Sequence, residues 1–178
     1  NHLDFTRFNP KHFQHIENCI RRLGKLGIEA DLIMMHPYDR WGFSQMTKEQ
    51  DDLYWNYAVA RFSAFANVWW SLANEYDLMP HKTIRDWERY ASILCEKDPY
   101  HHMRSIHNCM SLYDFSRPWI THCSVQRTDL YKSAETTNEL RERYHKPVVL
   151  DEIAYEGDIQ HGWGNLTGEE MLRRFWEA

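Results

Sequence analysis

The sequence predicts an α/β fold built on a parallel sheet, of the barrel or doubly wound kind. Three observations carry that expectation. Helix and strand patterns alternate along the 178 residues. The strand candidates are continuous apolar runs, as strands covered on both faces are. The polar residues collect after the strands, at one end of the sheet, whereas the helix-to-strand turns are plain.

Asn9-Pro10 starts a helix, with Pro at its first position. Phe13, Ile16, Ile20 and Leu23 recur at helical spacing, and Gly27 ends the segment. Ala30 to His36 is the first strand. Thr47-Lys48-Glu49-Gln50 is a capping box that opens a helix through Leu53, Tyr54, Tyr57, Arg61 and Phe65. Val68 to Ala73 is the second strand. Thr83 caps a helix with Ile84, Trp87, Ala91 and Leu94 on one face. Met103 to Ile106 and Trp119 to His122 are short strands, and the crossover between them has room for a turn or two of helix. Leu130, Ala134, Thr137, Leu140 and Tyr144 mark a further helix, and Val148 to Leu150 is the last strand. Thr167-Gly168-Glu169-Glu170 is a second capping box opening a C-terminal helix. Residues 1–178 read as one domain, without repeats or linkers.

After the successive strands come His36, Tyr38, Asp39, Arg40 and Trp41; then Asn74, Glu75 and Asp77; then His107 and Asn108; then His122 and Gln126; then Glu152, Tyr155 and Glu156. Gly24-Lys25-Leu26-Gly27 and Asp98-Pro99, at the opposite end, are turn chemistry.

Bulk properties narrow the partners. A net charge of -5 argues against nucleic acid. No run approaches the roughly 18 apolar residues of a membrane span, and no signal peptide opens the chain, which also lacks an initiator Met. Aromatics make up 15% of the chain, which suits both a ring-rich core and stacking platforms for sugars. Cys19, Cys95, Cys109 and Cys123 form no C-x-x-C pair; Cys19 and Cys95 fall on apolar helix faces. All four read as reduced thiols, which favours the cytoplasm. No cofactor is expected.

Glu75 and Glu152 carry the chemistry. Each follows a buried apolar strand, where a carboxylate is not there to pack. Glycoside hydrolysis needs two such groups: one to protonate the leaving oxygen, one to attack or to activate water. A rim salt bridge is the plain alternative for each. A metal-dependent hydrolase using His107 and His122, joined by His36 and Asp39, is a rival, but the chain has no H-x-H or H-E-x-x-H pair. A non-catalytic carbohydrate-binding protein is another. Trp41-Gly42-Phe43 and His161-Gly162-Trp163-Gly164 place an aromatic beside glycine, which lets a loop approach a ligand closely. Trp41 and Trp163 are thus candidate platforms.

Ser71-Leu72-Ala73-Asn74-Glu75 resembles the strand-four motif of clan A glycoside hydrolases, and Val148-Val149-Leu150-Asp151-Glu152 resembles their strand-seven motif. His36-Pro37-Tyr38-Asp39-Arg40-Trp41-Gly42 is similar to the strand-three loop of a bacterial branch of glycosidases related to the apiosidase-like and endoglucanase families. The resemblance implies a TIM (β/α)8 barrel and a carbohydrate substrate. It implies Glu75 as acid/base, Glu152 as nucleophile of a retaining mechanism, and Asn74 as a partner of the sugar 2-hydroxyl. His36, Tyr38, Asp39, Trp41, His107, His122, Gln126, Tyr155 and Trp163 would line the substrate site. The donor that many clan members supply near the nucleophile as Tyr falls here to His122 or Tyr155. In that numbering the chain holds strands three to seven only. The expected fold is therefore a partial barrel of about five parallel strands, since a full one typically takes about 250 residues. The two carboxyls are expected about 5–5.5 Å apart, the retaining separation.

Overall fold

The computed structural model describes residues 3–126, 133–160 and 162–177. Its elements are α1 (Pro10–Lys25), β1 (Ala30–Ile33), α2 (Lys48–Phe62), β2 (Val68–Ser71), α3 (Ile84–Lys97), β3 (Arg104–Ser105), β4 (Cys123–Gln126), α4 (Ser133–Tyr144), β5 (Val148–Glu152) and α5 (Gly168–Glu177). All strand pairs are parallel and sequential, β1-β2-β3 and then β4-β5. This is the topology of part of a (β/α)8 barrel, with five strands among the described residues. β3 and β4 are adjoined by one backbone bond, Thr121 N–H to the Arg104 carbonyl at 3.0 Å. Two hydroxyls complete the seam: Ser105 Oγ donates to the His122 carbonyl (2.6 Å), and Thr121 Oγ1 accepts from Arg104 N–H (2.8 Å).

Local chemistry accounts for the helix ends. Asn9 Oδ1 accepts from the amides of Lys11 and His12 ahead of Pro10. Gly27, at φ 71, takes the left-handed turn that closes α1. Thr47 and Gln50 form the capping box of α2. At α5 only the Thr167 hydroxyl half of the motif forms, accepting from Glu170 N–H at 3.2 Å; the Glu170 carboxylate pairs instead with Arg173 and Arg174.

Alternate strand residues face opposite ways. Val68, Trp70 and Leu72 are buried under the helices. Asp31, Ile33 and Ser71 face the barrel interior, where they share a cavity with His107 and Asp151. Among the described residues β1 pairs only with β2 and β5 only with β4, so the interior is open and Ile33 is 54% exposed. The aromatic residues divide: Trp55, Trp70, Trp87 and Trp119 are core, whereas Trp41 and Trp176 are exposed.

Several expectations need correction. The fourth strand is Cys123–Gln126, not Trp119 to His122. That apolar run is spent on a turn: Trp119 Nε1 donates to Glu88 Oε2 of α3 (3.2 Å) and Ile120 N–H returns to the Arg117 carbonyl (3.1 Å). His122 therefore precedes its strand rather than ending it. No helix forms in the crossover from β3 to β4. α2 ends at Phe62 and buries Trp55, Ala58, Val59 and Phe62, leaving Leu53 45% exposed. α3 buries Tyr90 beside Trp87, Ala91 and Leu94, and exposes Ile84. Cys19 and Cys95 are exposed rather than on packed faces, and all four cysteines are free. Leu130 and His161 lie outside the described residues.

Under the helices, Lys82 Nζ reaches Asp51 Oδ2 (2.7 Å) and the Met46 carbonyl (2.9 Å), with both side chains almost fully buried. The Tyr90 hydroxyl also donates to Asp51. Removing the lysine leaves the buried carboxylate with only the Tyr90 hydroxyl and a longer contact to Arg89 Nη2 at 3.6 Å. Lys82→Ala is expected to cost about 3–5 kcal/mol, read as a lower denaturant midpoint; an unchanged midpoint would mean that the pair is not sealed from water.

Candidate active site

β2 and β5 deliver the two carboxylates to one cleft, lined by Ile33, His36, Tyr38, Asn74, Glu75, Glu152 and Tyr155. Glu75 follows β2 in a left-handed conformation, φ 47 and ψ 55. A non-glycine residue held there costs of order 1–3 kcal/mol, and such strain clusters at functional sites. The neighbouring ladder holds it in place: Asn74 N–H donates to the Met35 carbonyl (2.9 Å) and Tyr76 N–H to the His107 carbonyl (3.0 Å). The Glu75 side chain is buried, and its Oε2 accepts from the Tyr38 hydroxyl and, at 3.4 Å, from Asn74 Nδ2. Gln126, the last residue of β4, turns its amide nitrogen toward Glu75 Oε1 (3.1 Å), the Asn108 carbonyl (3.1 Å) and His107 Nε2 (3.3 Å), the orientation those acceptors require.

Glu152 ends β5 and is surrounded by donors. Its Oε1 accepts from the Tyr155 hydroxyl and from Trp163 Nε1 (2.7 Å). Its Oε2 lies 3.4 Å from His107 Nε2. Burial and the Glu152 charge push Tyr155 up to about 12, so its hydroxyl keeps its proton and donates. Trp163 reaches Glu152 because Ala154, at φ 71, turns the chain back on itself. Tyr155 N–H then meets the Trp163 carbonyl (2.7 Å), and Ile159 N–H meets the Gly164 carbonyl (2.9 Å). A Cβ on Gly164 would lie 2.3 Å from Ile159 Cδ1. The loop glycine thus serves the loop's own closure, and the Trp163 indole serves Glu152 as a donor.

The remaining predicted residues sort themselves around this pair. His36 lines the cleft, and its Nδ1 accepts from Tyr38 N–H (3.2 Å). Trp41 stands 53% exposed on the same loop. Asp39 spends its carboxylate on that loop, accepting from the amides of Trp41 (3.1 Å), Phe43 (2.8 Å) and Ser44 (2.9 Å). Asp77 does the same for the loop after β3, accepting from the amides of Cys109, Met110 and Ser111. His122 packs its ring 5.4 Å from that of Trp69 and contacts Thr121 Oγ1 (3.0 Å); burial lowers its pKa against the opposing charge of Asp151. The donor position near Glu152 is filled by Tyr155 and Trp163, with His107 beside them.

Sequence reasoning gave no role to Asp31, Ser124 and Asp151, which lie under the pair. Asp151 Oδ2 is 3.4 Å from His107 Nδ1 and accepts from the Ser124 hydroxyl. Asp31 is exposed on the open interior, yet desolvation by the surrounding chain, then the charge of Asp151, raises its pKa against the opposing effect of His107. A charged residue inside an apolar strand, as Asp31 is in β1, was the available signal. Among the described residues no cluster of three or more His, Cys, Asp or Glu could hold a metal ion. No helix there is long and apolar enough to cross a membrane.

Asp39 gives a pH prediction. Burial opposes its ionisation, but the bonds from Ser44, Phe43 and Trp41 outweigh it and hold its pKa at about 2. A depressed carboxyl contributes stability that is complete above the ordinary aspartate value of about 3.9 and is lost as pH falls through the folded one. The difference in Tm between the wild type and Asp39→Asn should therefore be constant near neutrality and narrow between about pH 4 and pH 2. A difference that does not narrow would contradict the loop role.

Parallel strands that bring paired carboxylates to their C-terminal ends are an arrangement also used by glycoside-hydrolase barrels. The chain belongs to the apiosidase-like family: a model of the family's catalytic domain matches residues 1–178. A crystal structure from Bacteroides vulgatus ATCC 8482, provisionally described as a glycoside hydrolase, superposes with a TM-score of 0.93 at 43% identity, covering 98% of this chain and 35% of that one. A glycoside hydrolase family 5 structure from the same organism matches with a TM-score of 0.69 at 17% identity, over 93% of this chain and 40% of that one. A Bifidobacterium dentium β-glucuronidase, complexed with coumarin-3-O-glucuronide, matches at 0.56 and 14%, over 90% and 30%. The last two speak to the fold alone. The chain thus spans about a third of the length of these solved relatives. No curated protein matches it.

Proposed function

We propose that Glu75 and Glu152 perform retaining hydrolysis of a glycosidic bond within the complete barrel. The observation that carries this reading is the contrast between two carboxylates in one cleft. Glu152 accepts from the Tyr155 hydroxyl and from Trp163 Nε1, with His107 Nε2 3.4 Å away. Glu75 is buried beside a hydroxyl and an amide and faces the same space.

In the first step a Glu152 oxygen attacks the anomeric carbon. The bond to the leaving oxygen breaks, and protonated Glu75 gives that oxygen its proton. In the second step Glu75, now a carboxylate, takes a proton from water as the water oxygen attacks the same carbon. The ester bond breaks and Glu152 leaves as a carboxylate. Asn74 bonds the sugar 2-hydroxyl. Tyr38 and Trp41, both exposed at the cleft loop, offer rings to the sugar face.

The test is the anomeric configuration of the first-formed product, followed by proton NMR with the full-length gene product and a glycoside it turns over. Retention is expected, and inversion would overturn the nucleophile role of Glu152. A chelator such as EDTA should leave the rate unchanged. A rate abolished by EDTA and restored by a divalent metal would favour a metal-dependent hydrolase instead.

A further inference from the structure

We propose that Gln126 is a positioning residue for Glu75: its amide nitrogen holds Oε1 of that carboxyl as the accepting oxygen and leaves Oε2 to carry the proton that the leaving group takes. The proposal rests on the acid/base reading of Glu75 given above.

The sequence groups Gln126 with the residues that would line the substrate site, but the structure sets it behind Glu75. It is 8% exposed, and the cleft and the cavity beneath it are lined by other residues. Two features aim it. The register of β4 on β5 shifts by one residue at its end, so Gln126 pairs with Glu152 instead of Asp151; such irregularities re-aim a side chain. Its backbone N–H donates to Asn108 Oδ1 (3.2 Å), which ties the end of β4 to the end of β3. From there the side chain crosses the end of β3 toward the residue after β2.

Its hydrogen-bonding partners determine which way the amide faces. The nitrogen stands 3.1 Å from Glu75 Oε1, 3.1 Å from the Asn108 carbonyl and 3.3 Å from His107 Nε2. A backbone carbonyl can only accept, whatever the charge on Glu75, so Asn108 keeps the nitrogen on this side when Glu75 gains or loses its proton. The amide has two protons, and the two nearer acceptors take them. None remains for a sugar hydroxyl.

The two oxygens of Glu75 are therefore unlike. Oε1 meets an amide nitrogen, which can donate but not accept. Oε2 meets the Tyr38 hydroxyl, which can do either, with Asn74 Nδ2 farther off at 3.4 Å. A proton on Oε1 would confront the amide hydrogen. On Oε2 it finds an acceptor, beside Tyr38 in the lining of the cleft. Holding one oxygen also holds the carboxyl plane, and a misplacement of about 1 Å at a reacting group can cost about 10²-fold.

The experiment measures kcat and KM of Gln126→Leu, in the full-length gene product, across glycosides of graded leaving-group pKa, alone and combined with Glu75→Gln. For poor leaving groups kcat should fall about 10–100-fold with KM little changed. For activated aryl glycosides kcat/KM should stay close to wild type, because they need little protonation. In the Glu75→Gln background the same substitution should change kcat by no more than about twofold, since the group it positions is gone. Gln126→Met, which keeps the length of the side chain but not the donor, should repeat the pattern and serves if Gln126→Leu does not fold. Equal losses for all leaving groups, a rise in KM alone, or a loss that adds in full to that of Glu75→Gln would overturn the proposal. Leaving-group dependence absent from Glu75→Gln itself would defeat the acid/base reading and this proposal with it. Dependence present there and absent from Gln126→Leu would defeat the positioning role alone.

Discussion

Replacing Glu152 with glutamine is expected to abolish turnover for every leaving group, by about 10⁴-fold or more, as removal of a covalent nucleophile does. The amide is nearly the same size, and it can still accept from Tyr155 and Trp163, which now hold the carboxylate Oε1. What it loses is the charge and the ability to form a glycosyl ester. The deficit should therefore be as deep for an activated aryl glycoside as for a natural one. Steady-state rates across a series of leaving groups check this. Substantial residual activity on the activated substrates would assign Glu152 another role.

Glu75→Gln should behave differently. Its loss removes a proton donor, worth about 10²–10⁴-fold where the leaving group needs protonation. Activated leaving groups need little, so their first step should be almost spared, and only the general-base step should limit them. A plot of rate against leaving-group pKa should be steep for Glu75→Gln and displaced as a whole for Glu152→Gln. Equal losses for both variants on an activated aryl glycoside would contradict the division of labour.

Most of the topology was legible because local signals agreed with the global fold. Apolar runs marked β1, β2 and β5, and capping residues marked α1, α2 and α3. The fourth strand was misplaced because a turn can bury an apolar run as well as a strand can. Trp119 and Ile120 pack while their backbone turns, and the less apolar Cys123–Gln126 carries the ladder to β5. On α2, aromatic residues occur all round the helix, so periodicity could not pick Trp55 over Leu53.

At the site, the polar residues at strand ends announced which loops meet. What each side chain does there depends on the path of the chain after the strand. Asp39 turns back to three loop amides, and Trp163 arrives at Glu152 through a loop closed by Gly164. Neither follows from spacing. His107 and His122 looked equivalent in the sequence. The four-residue shift of β4 and the inward carboxylates of β5 separate them, one beside Glu152 and the other beside Trp69.

The central claim is that Glu152 forms a bond to the sugar. A 2-deoxy-2-fluoro glycoside with a good leaving group slows both steps but the second more, so the covalent species accumulates. The full-length gene product would be incubated with the fluoro analogue of a glycoside it hydrolyses, digested with a protease, and read by mass spectrometry. One fluoroglycosyl group on the peptide that contains Glu152, absent in Glu152→Gln, is the predicted result. A fluoroglycosyl group on any other residue, or inactivation with none attached to Glu152, would contradict the account.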